Sequence, residues 1–324
     1  ILHYNAGQYT ITKILDRLLP AYKAIKTKLL GDISESRMKE SDKDLILNYI
    51  YDSSNNVKNP FDDKVLIVDE VHNLTSKMVG AGFNGSRLYE LIMRAKNCRI
   101  VFLSGTPVIN TPFELALLFN MLRGFVYSYR LTLRAIAPQS FNVDRLKEIL
   151  HKTETIDRFE VDVKSNSIEV TRAPIGFVNK YNESGEKIGV SKNDNNSIDE
   201  EEFVNGIFKM LFNNGYQQDG DVVKKVYKMF PGLLKNSLDN NSMRGGDKFV
   251  DLEKKNFVEA YVDMSNYKVN NENQFKNRIL GLVSFYDEIS GIDEETGANL
   301  FPDKYIPDKD ETTVKMSNFQ FVEY

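Results

Sequence analysis

Nine residues constrain this chain more than any others: Val65-Leu66-Ile67-Val68-Asp69-Glu70-Val71-His72-Asn73. Four apolar residues in a row, three of them β-branched, read as a fully buried strand of a parallel sheet. Two carboxylates then stand at its carboxyl end, the edge at which open α/β sheets bind ligands. One acid there can hold Mg²⁺ on a nucleotide, and its neighbour can polarise a water that attacks phosphorus. A buried strand ending in a solvated acidic turn is the plainer reading of the same letters, so a second motif has to decide.

That motif stands 35 positions after Asp69, where the apolar run Arg99-Ile100-Val101-Phe102-Leu103 leads into Ser104-Gly105-Thr106-Pro107. Between the two runs, Ser86 can cap a helix whose Leu88, Leu91, Ile92 and Ala95 share one face. The order strand, helix, strand makes a βαβ unit with both motifs on one sheet edge. Gly80-Ala81-Gly82-Phe83-Asn84-Gly85 matches G-x-G-x-x-G by letters. No strand stands immediately before it and no Lys-Ser/Thr follows, so residues 77–85 read as a mobile loop on the nucleotide side. Thr111-Pro112-Phe113-Glu114 starts a further helix, with Thr111 as cap, Pro112 in the first turn and Glu114 closing a capping box. Leu115, Leu118, Phe119 and Leu122 give its buried face, and Gly124 ends it.

Asp69-Glu70-Val71-His72 is a D-E-x-H box. Together with Ser104-Gly105-Thr106-Pro107, Val108-Ile109-Asn110 and Glu114-Leu115 it resembles the Swi/Snf-like branch of superfamily 2 helicases. The tail narrows the resemblance. It contains Phe275-Lys276-x-Arg278-Ile279-x-Gly281-Leu282-x-Ser284-Phe285-Tyr286, then Phe301-Pro302, Tyr305, Met316-Ser317 and Gln320. This is similar to helicases of large nucleocytoplasmic DNA viruses, the group of the poxvirus early transcription factor small subunit and nucleoside triphosphate phosphohydrolase I. Phe285 stands where that group has Tyr. The likeness is strong over residues 60–125 and 273–320 and weak between them.

The resemblance implies an α/β fold: a partial RecA-like parallel sheet with helices on both faces, then an α+β insert with antiparallel hairpins and a helical segment. It divides the chain into the C-terminal part of a first RecA-like lobe (1–135), the insert (136–270), a helical connector (271–310) and the start of a second lobe (311–324). ATP and Mg²⁺ are the implied cofactors. Asp69 would hold the metal, Glu70 and His72 would be catalytic, and Ser104, Gly105 and Thr106 would couple the nucleotide to nucleic acid. Tyr4 and Asn5 resemble the position of a DNA-facing loop. Lys276 and Arg278 are candidate phosphate contacts, although a solvated helix face accounts for them as well. No G-x-x-x-x-G-K-[ST] occurs in the 324 residues, and the resemblance places that loop before Ile1 and an arginine-bearing motif after Tyr324. The chain looks like an internal piece of a longer polypeptide, and by itself is expected neither to bind ATP well nor to hydrolyse it.

Elsewhere the periodicity predicts a helical stripe over residues 10–30, a helical patch over 45–51, and a short strand at Ile1-Leu2-His3-Tyr4. Hairpins are expected over 155–190, where Phe159 to Val163 and Ile168 to Arg172 alternate with period two. A capping box of Ser197 and Glu200 opens a helix through Phe203, Ile207, Phe208 and Leu211. Residues 216–255 read as loop-rich, with a flexible turn at 244–247. A stripe of Phe275, Ile279, Leu282, Val283 and Tyr286 predicts a helix. The single cysteine, Cys98, excludes an internal disulfide framework and fits a reducing compartment. Histidines 3, 72 and 151 are too scattered to suggest zinc. With 42 basic against 46 acidic residues the chain is mildly acidic. That argues against wholesale polyanion binding but not against a local basic groove.

The reading that follows is a piece of a nucleic-acid-dependent ATPase, a helicase or translocase acting in viral transcription, with DNA favoured over RNA. Viral RNA polymerase or transcription-factor subunits would be its partners, in the host cytoplasm or the virion, with no membrane role. The alternatives are a non-catalytic helicase-fold scaffold, against which the intact Asp69-Glu70 pair counts, and an unrelated phosphate-loop enzyme.

Overall fold

A computed structural model describes residues 10–80, 83–138, 140–183, 187–193, 198–230, 246–263, 265–266 and 268–284. The expected strand at Ile1 to Tyr4 lies outside these residues. All but Val283 and Ser284 belong to one compact unit that ends at Leu282.

The chain begins with two helices, α1 (Ile11–Leu18) and α2 (Tyr22–Leu30), not one. Pro20 causes the break: the residue before a proline is pushed out of the helical region, and Leu19 is extended at φ −113°, ψ 101°. Helix α3 (Glu40–Tyr51) follows, five residues longer at its start than the apolar patch suggests. Asp42 accepts the Lys39 N–H at 2.8 Å and satisfies one orphan donor of its first turn.

Strands β1 (Val65–Val68) and β2 (Arg99–Phe102) pair in parallel, Val65 beside Arg99 and Val68 beside Phe102. Helices α4 (Val71–Gly80) and α5 (Phe83–Arg94) connect them. The α/β class therefore holds, with this pair as part of a RecA-like sheet and antiparallel sheets after it. The strand itself is not fully buried. Leu66, Val68, Ile100 and Phe102 face the helical core, whereas Val65 and Ile67 are 64% and 65% exposed and Val101 and Leu103 are exposed beside them. Among the described residues the helices cover one face of this pair.

The described part of the glycine-rich stretch is helical, with residues 81 and 82 outside the described residues. Residues 77–80 finish α4 and 83–85 begin α5, with Ser86 inside that helix rather than capping it. Gly85 is there for close approach: a Cβ would meet the Lys77 carbonyl oxygen and the Met78 Cα at 2.7 Å. Helix α6 (Phe113–Arg123) starts after Pro112, and its cap differs from expectation. The Thr111 hydroxyl is buried without a hydrogen bond. Glu114 reaches back instead to the N–H groups of Ile109 and Asn110.

Strand β3 (Val126–Ala135) is the longest among the described residues and was not expected. It lies at the centre of a five-stranded antiparallel sheet that includes β4 (Ile156–Asp162), β5 (Ser167–Arg172), β8 (Tyr216–Gln218) and β9 (Val223–Tyr227). β5 pairs with one edge of β3, and β8 and β9 share the other. Strands β8 and β9 overturn the loop reading there. The expected hairpins are present as β4–β5 and as β6 (Phe177–Tyr181) with β7 (Lys187–Lys192). Helix α7 (Val143–His151) precedes them, and α8 (Glu200–Asn213) follows. The capping box of α8 is Asp199 with Glu202, not Ser197 with Glu200, because Asp199 and Glu202 each accept the other's N–H, at 2.8 and 3.1 Å. Ser197 is outside the described residues.

Helix α9 (Gly246–Tyr261) covers the last ten residues of the stretch read as loop and starts within its expected turn. A two-residue pair, β10 (Val262–Asp263) and β11 (Lys268–Val269), leads to α10 (Glu272–Ile279). That helix is shorter than its stripe. It stops before Gly281, whose φ of +84° is a left-handed helix end, so Leu282 and Val283 lie beyond it. Tyr286 is not described.

Two hydrophobic cores result. The first gathers α1 to α6 and one face of β1–β2, joined by Phe230, Phe257 and Tyr261. Phe230 stacks with Phe119, Phe257, Tyr261 and Phe275 at centroid distances of 5.2 to 6.4 Å, which docks α9 and α10 onto α6. The second core packs Tyr129, Leu131 and Leu133 of β3 on Leu146 and Leu150 of α7 and Phe203, Ile207 and Leu211 of α8. The other face of β3 carries Val126, Ser128 and Arg130, so one strand borders both cores.

Candidate functional site

At Val68 the strand ends and the chain turns through Asp69 and Glu70 into α4. The turn is tied across the sheet. Leu103 donates its N–H to the Val68 carbonyl at 2.9 Å, and Val71 donates to the Leu103 carbonyl at 3.0 Å. Glu70 takes the left-handed conformation, φ +50°, which costs a side-chain-bearing residue about 1–2 kcal/mol. Its N–H donates to Asp69 Oδ1 at 3.0 Å, and its carbonyl accepts the Asn73 N–H that opens α4. Backbone strain of this kind persists only where surrounding bonds over-determine it, and such positions gather at functional sites.

The two motifs meet through an imidazole. His72 Nδ1 lies 2.8 Å from Ser104 Oγ and 3.2 Å from Glu70 Oε2. A carboxylate only accepts, so Nδ1 carries the proton when it bonds Glu70. Ser104 Oγ in turn accepts the Thr106 N–H at 3.2 Å, which shapes the 104–106 turn. The ring is mostly buried, while Asp69, Glu70, Gly105 and Thr106 are open to solvent. Gly105 has no left-handed φ, and a Cβ there would meet nothing within 4 Å.

Two residues that sequence reasoning left out of the site hold the 104–110 segment from behind. Ser76 of α4 accepts a hydrogen bond from the Asn110 amide. Glu114 of α6, fully buried, accepts from Ile109 at 2.9 Å and from Asn110 at 3.3 Å. Glu114 was visible as a polar residue in an apolar helix, but its position in the first turn pointed to a cap.

The structure thus brings together Glu70, His72, Ser104 and the Thr106 backbone, with Asp69 next in the chain. It does not bring Lys276 and Arg278 to them. Lys276 is exposed and pairs with Glu272 one turn earlier on α10. Arg278 is packed and not on a solvated face: it donates to the Met229 carbonyl at 2.8 Å and lies over the Phe230 and Tyr261 rings. Tyr4 and Asn5 lie outside the described residues. No helix among the described residues is long and apolar enough to cross a membrane.

Over 63 residues, 18% of its length, the chain is 49% identical to proteins named as termination factor NPH-I homologs of African swine fever virus, from a South African tick isolate and a Namibian warthog isolate. Over 70 residues it is 44% identical to a protein of Acanthamoeba polyphaga mimivirus named "Putative ATP-dependent RNA helicase R350". Each match covers 9% of the viral relative, so the shared stretch spans less than a tenth of the length of these curated proteins. No protein-family model matches the chain. No solved structure matches it. The similarity is to helicase-like viral proteins, over short stretches.

Proposed function

We propose that this chain is the part of a Swi/Snf-like, nucleic-acid-dependent ATPase that carries the metal-holding acid, the water-orienting acid and the coupling turn. The observation that supports this best is the His72 bridge, which joins the acid at the end of β1 to the Ser104 turn at the end of β2.

Two adjacent solvent-facing carboxylates suit Mg²⁺, which binds through one or two carboxylates and phosphate oxygens. Asp69 is the residue that would hold it. When bound with ATP, the metal neutralises charge on the phosphates. Glu70 then orients the attacking water and accepts its proton. His72 fixes the Glu70 carboxylate relative to Ser104, so a shift of residues 104–106 on nucleic acid is felt at Glu70. Gly105, which the local fold does not demand, fits a role at that contact. Such a reaction also needs a phosphate cradle, and no G-x-x-x-x-G-K-[ST] occurs in these 324 residues. The name termination factor borne by some of the viral relatives fits a role in transcription; that DNA is the track, and RNA polymerase or transcription-factor subunits the partners, belongs to the proposal. Host cytoplasm and virion are the corresponding locations.

The test is Glu70→Gln in a protein that joins this chain to a phosphate loop. Nucleic-acid-stimulated ATP turnover should fall at least about 10²-fold with ATP binding kept. His72→Ala should keep basal turnover and lose the stimulation. Turnover in Glu70→Gln within twofold of the parent would sink the assignment.

A further inference from the structure

Between the two cores lies a cavity of about 910 Å³. It is bounded by the C-terminal end of α6, the polar face of the five-stranded sheet, the β6–β7 hairpin and the end of α10. Its charge is lopsided. Seven of its lining residues are Lys or Arg and one, Asp157, is acidic, in a chain with more acids than bases. Two of the seven spend their guanidiniums elsewhere, Arg172 on the Ile198 carbonyl and the Phe203 ring, Arg278 on the Met229 carbonyl and the Phe230 and Tyr261 rings.

Asp157 is one acid shared among several of these cations, Arg158 included. Its carboxylate is taken by Arg123 at 3.2 Å and Lys187 at 2.9 Å. Arg158, half-buried beside it, makes no side-chain hydrogen bond and no ion pair among the described residues. The register sets Arg158 across from Thr171, Thr171 across from Ser128 and Ser128 across from Lys225. That is the face of the sheet turned away from the second core. Arg278 comes to the same cavity from α10. Its pKa is lowered, mainly by burial, with Arg158 adding repulsion. Like charges held together in a partly buried place are costly without a counter-charge. Ile175 and Phe177 also line the cavity and are 63% and 43% exposed.

We propose that this cavity binds the backbone of a single nucleic-acid strand, with Arg158 holding phosphate and Ile175 and Phe177 offering an apolar surface to a base. Cations tracking a backbone beside an aromatic platform are the shared chemistry of single-strand sites. A cavity of this size admits a short single strand and not a duplex. The proposal rests on the nucleic-acid-dependent reading above and adds a place for the strand, remote from Asp69 and Glu70 in sequence and carried by other elements.

The test uses the 324-residue chain and a fluorescein-labelled oligothymidylate of about 15 nucleotides, near the upper end of single-strand site sizes. Anisotropy is followed over a salt series. Arg158→Gln should bind about five- to tenfold more weakly and lose about 0.7 from the slope of log K against log salt, the share of one phosphate on a single strand. Arg158→Lys should keep the slope. Lys23→Gln removes an exposed cation outside the cavity and should change neither. Thermal melting confirms that each variant is folded. The proposal is overturned by no binding of the parent chain, by unchanged affinity and slope in Arg158→Gln, or by equal losses in Lys23→Gln. It is also overturned if a polyglutamate peptide of equal charge displaces the strand and is as sensitive to Arg158→Gln, which would assign the cavity to an acidic protein segment. ATP turnover in Glu70→Gln is a separate readout, so the cavity and the hydrolytic site can fail independently.

Discussion

Gly281 and Gly105 sit in the two motifs that carry the family resemblance, for opposite physical reasons. Gly281 ends α10 in the left-handed region, φ +84°, and a Cβ there would fall 2.3 Å from Val190 Cγ2 on the β6–β7 hairpin. Val190 is β-branched and has little freedom to turn aside. Gly281→Ala therefore meets both a conformational and a packing penalty, together about 2–4 kcal/mol, seen as a lower Tm or denaturant midpoint. Gly105 faces neither, so Gly105→Ala should leave stability within about 0.5 kcal/mol. If the coupling assignment is right, the same substitution lowers nucleic-acid stimulation of ATP turnover. A Gly105→Ala variant with parental stability and parental stimulation would remove Gly105 from the site.

At the scale of elements, Asn120 of α6 fastens the segment that follows β9. Its side chain accepts the Phe230 N–H at 2.7 Å and donates to the Phe230 carbonyl and to the Tyr89 hydroxyl. All of this is buried. Asn120→Ala strands a backbone donor and acceptor at the centre of the aromatic cluster, and an unsatisfied buried group costs about 1–3 kcal/mol. We expect about 2–4 kcal/mol lost, with faster hydrogen exchange in α10, which packs on Phe230 through Phe275. Unchanged exchange there would show that α10 is held by other contacts. None of this could be read locally, because Asn120 and Phe230 are 110 positions apart. The same reason hid β8 and β9, two short strands, the second lysine-bearing, that pair with β3. β3 was missed although a local signal was there, Tyr129, Leu131 and Leu133 alternating with Ser128, Arg130 and Thr132. The glycines of 80–85 misled because close helix approach and loop formation both call for glycine, and local letters do not separate them. The meeting of the D-E-x-H box and the Ser104 turn was legible because each ends a strand of one βαβ unit. Ser76 and Glu114 were not, because they act through backbone and amide groups of the 108–110 segment.

On the scale of the whole molecule, two nearly buried acids tie parts distant in sequence together. Asp157 of β4 holds Arg123 at the end of α6 and Lys187 of β7. Glu90 of α5 holds Lys228, just after β9, and Arg94. For both acids burial pushes the pKa up, but the adjacent cations outweigh it and leave the carboxyls below their ordinary range. The sign follows. An acid whose folded pKa is depressed adds stability that is fully present above its unfolded pKa, about 3.9 for Asp and 4.3 for Glu, and loses it as pH falls through the folded value. Tm should therefore hold steady from pH 7 to about pH 5 and decline as pH falls through the range near and below 4. Asp157→Asn discriminates this from general acid expansion. At pH 7 it leaves Arg123 and Lys187 facing each other with no counter-charge, which costs about 3–5 kcal/mol for a buried pair. The variant has no proton to gain at that position, so its deficit against the parent should narrow as pH falls toward 3. A deficit constant across the titration would place the acid sensitivity elsewhere and make Asp157 a packing group whose charge is not used.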